Sequence, residues 1–129
     1  MHGPLPDVSQ YTRLNHRGTM KVLNAATRKA EELGCAPSIA VVDDGGHLLG
    51  FARVGSAVTA GIDAAIAKAG AAAARRPGVP GPHVNGHLGL PVFVHGTLVG
   101  AIGVESGDHE RDLEVARAGI AALPGATEA

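Results

Sequence analysis

LPVFVHGTLVGAIGVESGDHERDLEVARAGIAAL, Leu90 to Leu123, is the stretch whose reading decides the fold. Two apolar runs meet at His95-Gly96, a pair able to take the positive φ angles of a tight hairpin turn. Along the second run, Thr97 to Val104, residues Leu98, Gly100, Ile102 and Val104 share one side. Val99, Ala101 and Gly103 fall on the other. Neither side is polar, so the strand is expected to be covered twice, by helices on one side and by another subunit or a pocket on the other. Glu105-Ser106-Gly107-Asp108 then turns into a helix with Leu113, Ala116, Ile120 and Leu123 on one stripe. Asp108 is its expected N-cap, Glu110 and Asp112 suit the positive end of the helix dipole, and Pro124 stops it.

Around this hairpin, 129 residues allow one domain with a modest core. Hydrophobic residues are 45% of the chain but aromatics only 2%, so the core is built from Ala, Val, Leu and Ile. Small side chains remove little area from water at ~25 cal/mol per Å², which makes self-association a natural supplement. Eleven basic residues against 12 acidic ones give a net charge of -1. That leaves no basic field for nucleic acid and no polybasic membrane patch. No run approaches the ~20 apolar residues of a spanning helix, and MHGPLPDVSQ lacks a signal-peptide pattern. The single Cys35 excludes an internal disulfide and, with no activating partner evident, reads as a structural thiol. A cytoplasmic protein is expected.

The chain before the hairpin reads as helix, hairpin, helix, loop. Residues 1–8 form an N-terminal arm. Ser9 is the expected cap of a helix running to Leu33, with a kink or restart at Gly18. Its buried stripe is Leu23, Ala26, Ala30 and Leu33, and Gly34 ends it. In SIAVVDDGGHLLGFAR, Asp44-Gly45 marks a turn between Ser38–Asp43 and His47–Arg53. Asp44 reads as turn chemistry; Asp43, at the strand end, divides evenly between turn chemistry and catalysis. Ser56 or Thr59 is expected to cap a helix reaching about Arg76, with Ile62, Ala65, Ile66, Ala69 and Ala73 buried. Residues 77–87 are rich in Pro and Gly and read as a lid or binding loop. Antiparallel hairpins interleaved with helices predict an α+β layer fold.

Seven histidines are the main chemical excess. His83 and His87 bracket the loop at a spacing of four and are the candidate metal ligands, although Pro82 and Gly86 oppose the helix such a pair needs. His47 and His95 read as exposed turn residues, and His16 falls within the first helix. His109 beside Glu105, Asp108 and Asp112 reads as a pH-sensitive or metal-binding cluster, or as ordinary acidity at a helix N-terminus that needs no ligand. No phosphate loop and no G-x-S-x-G occur, and neither Ser56 nor Ser106 has an assigned base. Lys68 reads as a solvated or snorkelling lysine, or as one that holds an anion at a pocket edge. Arg53 at a strand end, Lys68, His83, His87 and the small Gly103 are the candidate ligand-binding set. Glu105, Asp108 and His87 are the candidate catalytic set.

IAVVDDGGHLLGFAR, the Ala-rich helix with Lys68-Ala69, LPVFVHGTLVGAIGVESG and DLEVARAGIAAL resemble the GlcG/HbpS-like family. They are also similar to the C-terminal domain of PduO-type proteins. The resemblance covers about Leu14 to Leu123. It implies a profilin-like antiparallel sheet of two hairpins, with room for an extra strand and with helices packed on it, assembled into homo-oligomers. It implies haem as the cofactor, near the loop after the Ala-rich helix and at a subunit contact; because the family's pocket residues are changed in this chain, His83 or His87 is the candidate for the axial nitrogen in place of the usual ligand. The family's strand-end R-x-D-G-A reads Arg53-Val54-Gly55-Ser56-Ala57 here, without its Asp. Residues 77–87 lack the expected Thr.

Three functions are compatible with these features. The first is a protein binding haem or a related tetrapyrrole. The second is a cofactor-independent enzyme, of isomerase, lyase or hydrolase type, acting on a small organic acid. The third is an assembly module without chemistry. The partners expected are a small molecule and further copies of the chain, with neither nucleic acid nor membrane.

Overall fold

His95 and Gly96 hold φ values of 50° and 76°, so both central turn positions are left-handed and the 90–105 segment closes as a two-residue hairpin. A computed structural model describes residues 7–74 and 89–129. Its elements, in order, are α1 (His16–Leu33), β1 (Ser38–Asp43), β2 (Leu48–Arg53), α2 (Gly61–Ala73), β3 (Leu90–Val94), β4 (Thr97–Glu105), α3 (His109–Ala121) and β5 (Ala126–Thr127). The strands form one antiparallel sheet in the order β2-β1-β4-β3-β5. This is the α+β arrangement expected, with the short β5 as the extra strand.

The alternation along β4 assigns its faces. Ile102 and Val104 stand opposite Val41 and Ile39 of β1 and join Val22, Ala26, Ala30, Val115 and Ile120 of α1 and α3. Ala101 lies opposite Val42, and Gly103 opposite Ala40. Ala40, Val42 and Ala101 pack with Ala65, Ala69, Ala72 and Ala73 of α2. Both faces of β4 are thus covered by helices of the same chain. The expectation of a subunit or pocket on the second face is corrected, because the alanine face of α2 is flat enough to lie directly on the sheet. Gly103 is where the approach is tightest: an added Cβ would lie 2.6 Å from Ala69 N and collide with the Ala65 carbonyl.

Several boundaries differ from expectation. Asn15, not Ser9, caps α1, accepting from Gly18 N at 2.9 Å, and the helix runs through Gly18 without a restart. Gly34 ends it in the left-handed conformation with its N–H shared between Ala30 and Glu31 carbonyls, as expected of a C-terminal glycine. Neither Ser56 nor Thr59 caps α2; it starts after Ala60 with no side-chain cap and spans Gly61–Ala73, while Arg76 lies outside the described residues. Asp108 caps α3, accepting from Arg111 N at 3.2 Å.

Candidate functional site

Three segments distant in sequence converge beyond the end of β4. The α1–β1 connection brings Cys35 and Ala36, and the β2–α2 connection with the first turns of α2 brings Ser56, Val58, Ala60, Gly61 and Ala64. The β4–α3 turn brings Glu105, Ser106, Gly107, Asp108 and Arg111. Together they enclose an open cleft of about 610 Å³, within the usual range of small-molecule sites. One wall is small and apolar; the other is polar.

The polar wall is tied down from behind. β3 begins at Leu90 opposite Ile102, so among the described residues the last part of β4 has no β3 partner. Lys68 occupies that side: its Nζ donates to the Val104 carbonyl at 3.0 Å and lies 3.1 Å from Glu105 Oε1. Lys68 is 2% exposed, which corrects the expectation of a solvated or snorkelling side chain. A buried ammonium requires charge partners, and the end of β4 supplies them. Glu105 Oε2 accepts from Gly107 N at 2.9 Å, so both carboxylate oxygens are engaged.

Asp112, also buried, extends this cluster. Its Oδ2 lies 3.9 Å from Lys68 Nζ and accepts from Ser106 N at 3.1 Å; its Oδ1 accepts from Ser106 Oγ at 2.5 Å. Burial pushes the Asp112 carboxyl above its ordinary value, against the opposing pull of the Ser106 hydrogen bonds and of Lys68. The Cys35 thiol is likewise pushed up, by burial first and then by the negative charge of Asp112, with Arg111 opposing. Arg111 donates to the Leu33 carbonyl at 3.2 Å and lies 3.5 Å from Asp108 Oδ2, holding a cation at the rim. Ser38 Oγ, under Gly61 and close to Glu105, has no hydrogen-bond partner among the described residues.

The residues singled out from sequence are distributed unevenly around this cleft. Glu105 and Asp108 line it. Lys68 stands behind Glu105 and does not reach the surface of the cleft. Arg53 donates to the Ala57 carbonyl at 3.4 Å, bracing the connection that carries Ser56 and Val58. Gly103 lies beneath α2, where its missing side chain admits the helix backbone and leaves no room for a ligand. His83 and His87, the expected metal ligands, lie outside the described residues, as does the rest of the 77–87 loop. Among the described residues no group of three His, Cys, Asp or Glu is placed to hold a metal. Asp43 serves the turn, its Oδ1 accepting from Gly45 N and His47 N at 2.9 Å each. Asp44 is held by Arg13 at 2.9 Å. Cys35, Val58, Ala64 and Arg111 line the cleft without any sequence signal that marks them. They carry no shared motif, and only the α+β topology brings them together.

A search of curated protein sequences returns no match. The family model described as "Haem degrading protein HbpS-like" matches residues 14–78. Among solved structures, a double mutant of Streptomyces reticuli HbpS is 28% identical, with 95% of each chain covered and a TM-score of 0.80. A second HbpS structure is 27% identical, covering 95% of this chain and 99% of that one, also with a TM-score of 0.80. A complex of PduOC with haem shares the fold at 23% identity, covering 91% and 99% with a TM-score of 0.76. The chain therefore belongs to the HbpS-like family, the one its paired hairpin motifs resemble.

Proposed function

We propose that this protein binds haem or a related tetrapyrrole in the cleft at the end of β4. The observation that carries the reading is the make-up of that cleft, set within a family whose description is haem-related. A tetrapyrrole presents a broad apolar face and a carboxylate edge. Ala36, Val58, Ala60 and Ala64 offer small apolar contacts to the face, and Val58 is 72% exposed. Arg111 at the rim offers a guanidinium to a carboxylate. Lys68 stands against Glu105 and Arg111 against Asp108, which leaves Asp112, buried behind them and sharing Lys68, as the one carboxylate in excess. These residues fit the body and the acidic edge of the group. No imidazole lines the cleft among the described residues, and the axial nitrogen is assigned to His83 or His87 on the sequence argument alone. The same fold carries haem in the PduOC complex.

Self-association belongs to this reading. Leu48 and Leu49 are exposed on the edge strand β2, where a further copy would remove them from water. No helix among the described residues is long and apolar enough to cross a membrane, which is compatible with the cytoplasmic setting proposed.

Titration with haemin tests the reading. A saturable shift of the Soret band is expected, weakened at least tenfold by Arg111→Ala and altered in position by replacing whichever of His83 and His87 supplies the nitrogen. A flat titration rejects it.

A further inference from the structure

The polar wall of the cleft conceals a charge cluster that does not balance. One ammonium, Lys68, serves two carboxylates, at 3.1 Å from Glu105 and 3.9 Å from Asp112. Glu105 reaches the cleft, whereas Asp112 is 4% exposed and stands behind Ser106. The groups facing Asp112 among the described residues are Lys68 from α2, Glu105 and Ser106 from the end of β4, and the Cys35 thiol beyond α1. Asp108 and Arg111 are the neighbouring charges on its own helix end.

Resting on the tetrapyrrole reading, we propose that Asp112 is a positioning residue that takes up one proton when an anionic group enters the cleft, and so turns the Ser106 hydroxyl towards that anion. The Ser106–Asp112 hydrogen bond sets this behaviour. With Asp112 ionised, Ser106 O–H is spent on Oδ1 at 2.5 Å, and the wall offers an incoming carboxylate no hydroxyl hydrogen. The N–H groups of the turn are committed as well: Ser106 N to Asp112, Gly107 N to Glu105, and Asp108 N to Ser106 Oγ at 3.3 Å. A further negative charge at this wall would meet two carboxylates already sharing Lys68. Protonation of Asp112 from solvent relieves this. The new carboxyl O–H donates to Ser106 Oγ, which both donates and accepts, and the serine hydrogen is freed to point into the cleft. One proton is taken from water, no other covalent bond changes, and Lys68 is left to balance Glu105 alone, so the anion enters beside a cluster with no excess negative charge. The burial that already raises the proton affinity of Asp112 makes it the group that responds.

Linkage gives the test. Because the bound state holds the proton more tightly, haemin affinity should fall as pH rises above the ordinary carboxylate range, towards a limit of about tenfold per pH unit for one proton. Haemin dissociation constants are measured from Soret titrations at several pH values on the full chain, with Asp112→Asn and Ser106→Ala. The propionates of haemin titrate in every variant, so the difference in slope between variants is the quantity read. The wild-type slope should exceed that of Asp112→Asn, which cannot gain the proton. Ser106→Ala should lose most of the tightening at low pH while keeping its fold. Saturable binding with equal slopes in wild type and Ser106→Ala, or in wild type and a folded Asp112→Asn, overturns the inference and leaves the binding reading standing. No saturable shift at any pH overturns both.

Discussion

Gly103 and Lys68 occupy one narrow space, and between them they set how α2 lies on the sheet. Gly103 lets the α2 backbone descend onto β4, and Lys68 then passes the strand end to reach Val104 and Glu105. Gly103→Ala should destabilise the protein by about 1–3 kcal/mol, towards the upper end because the obstructing atoms are backbone. Urea denaturation checks this, and an unchanged midpoint would mean that α2 can lift without cost. Asp43 gives a second residue-scale prediction. Burial tends to raise its carboxyl, but the His47 and Gly45 N–H groups and the His47 ring outweigh that and bring it below the ordinary 3.8. A carboxyl lowered on folding contributes stability that is full above its unfolded value and lost as pH falls through the folded one. The stability advantage of wild type over Asp43→Ala should therefore shrink as pH is lowered below about 3.9. Paired urea melts at pH 6 and pH 3 measure it. The turn role of Asp43 was half visible in the sequence, because an Asp before Asp-Gly bonds its own backbone. The burial of Lys68 was not visible, since its Ala and Gly neighbours say nothing of β3 starting too late to cover the end of β4.

Elements were legible wherever backbone geometry restricts the residue. His95-Gly96 and Gly34 marked their turns because left-handed φ values favour few side chains, and Asp108 marked the start of α3. The start of α1 was misplaced because Ser9 and Asn15 are both competent caps, and periodicity alone does not choose between them. Leu14 decides it: its N–H bonds the Val99 carbonyl at 3.0 Å and its side chain enters the core, so the chain is tied to β4 at Leu14 and the helix starts only after it. Asn15→Ala should cost about 1 kcal/mol. It should also speed hydrogen exchange at Gly18 N–H, which bonds the Asn15 side chain. An unaltered exchange rate there would mean that the cap contributes nothing.

For the whole molecule, the layer order followed from the two-sided apolar pattern of β4, but the cleft did not. Its lining comes from residues near 35, 56–64 and 105–111, each unremarkable in its own segment. Sequence patterns report periodicity within an element; they do not report which loops a sheet order of β2-β1-β4-β3-β5 gathers at one end. Glu105 and Asp108 were selected because carboxylates at a strand-to-helix turn are conspicuous, while Cys35 and Arg111 needed the fold. Ala64 is partly buried on α2 and faces the cleft, so Ala64→Trp should occupy it without disturbing the sheet. Haemin titrated into the two proteins, with circular dichroism confirming equal folding, should give a saturable Soret shift in wild type and none in Ala64→Trp. Equal shifts in both would place the ligand elsewhere, and a flat wild-type titration would remove haem from the account.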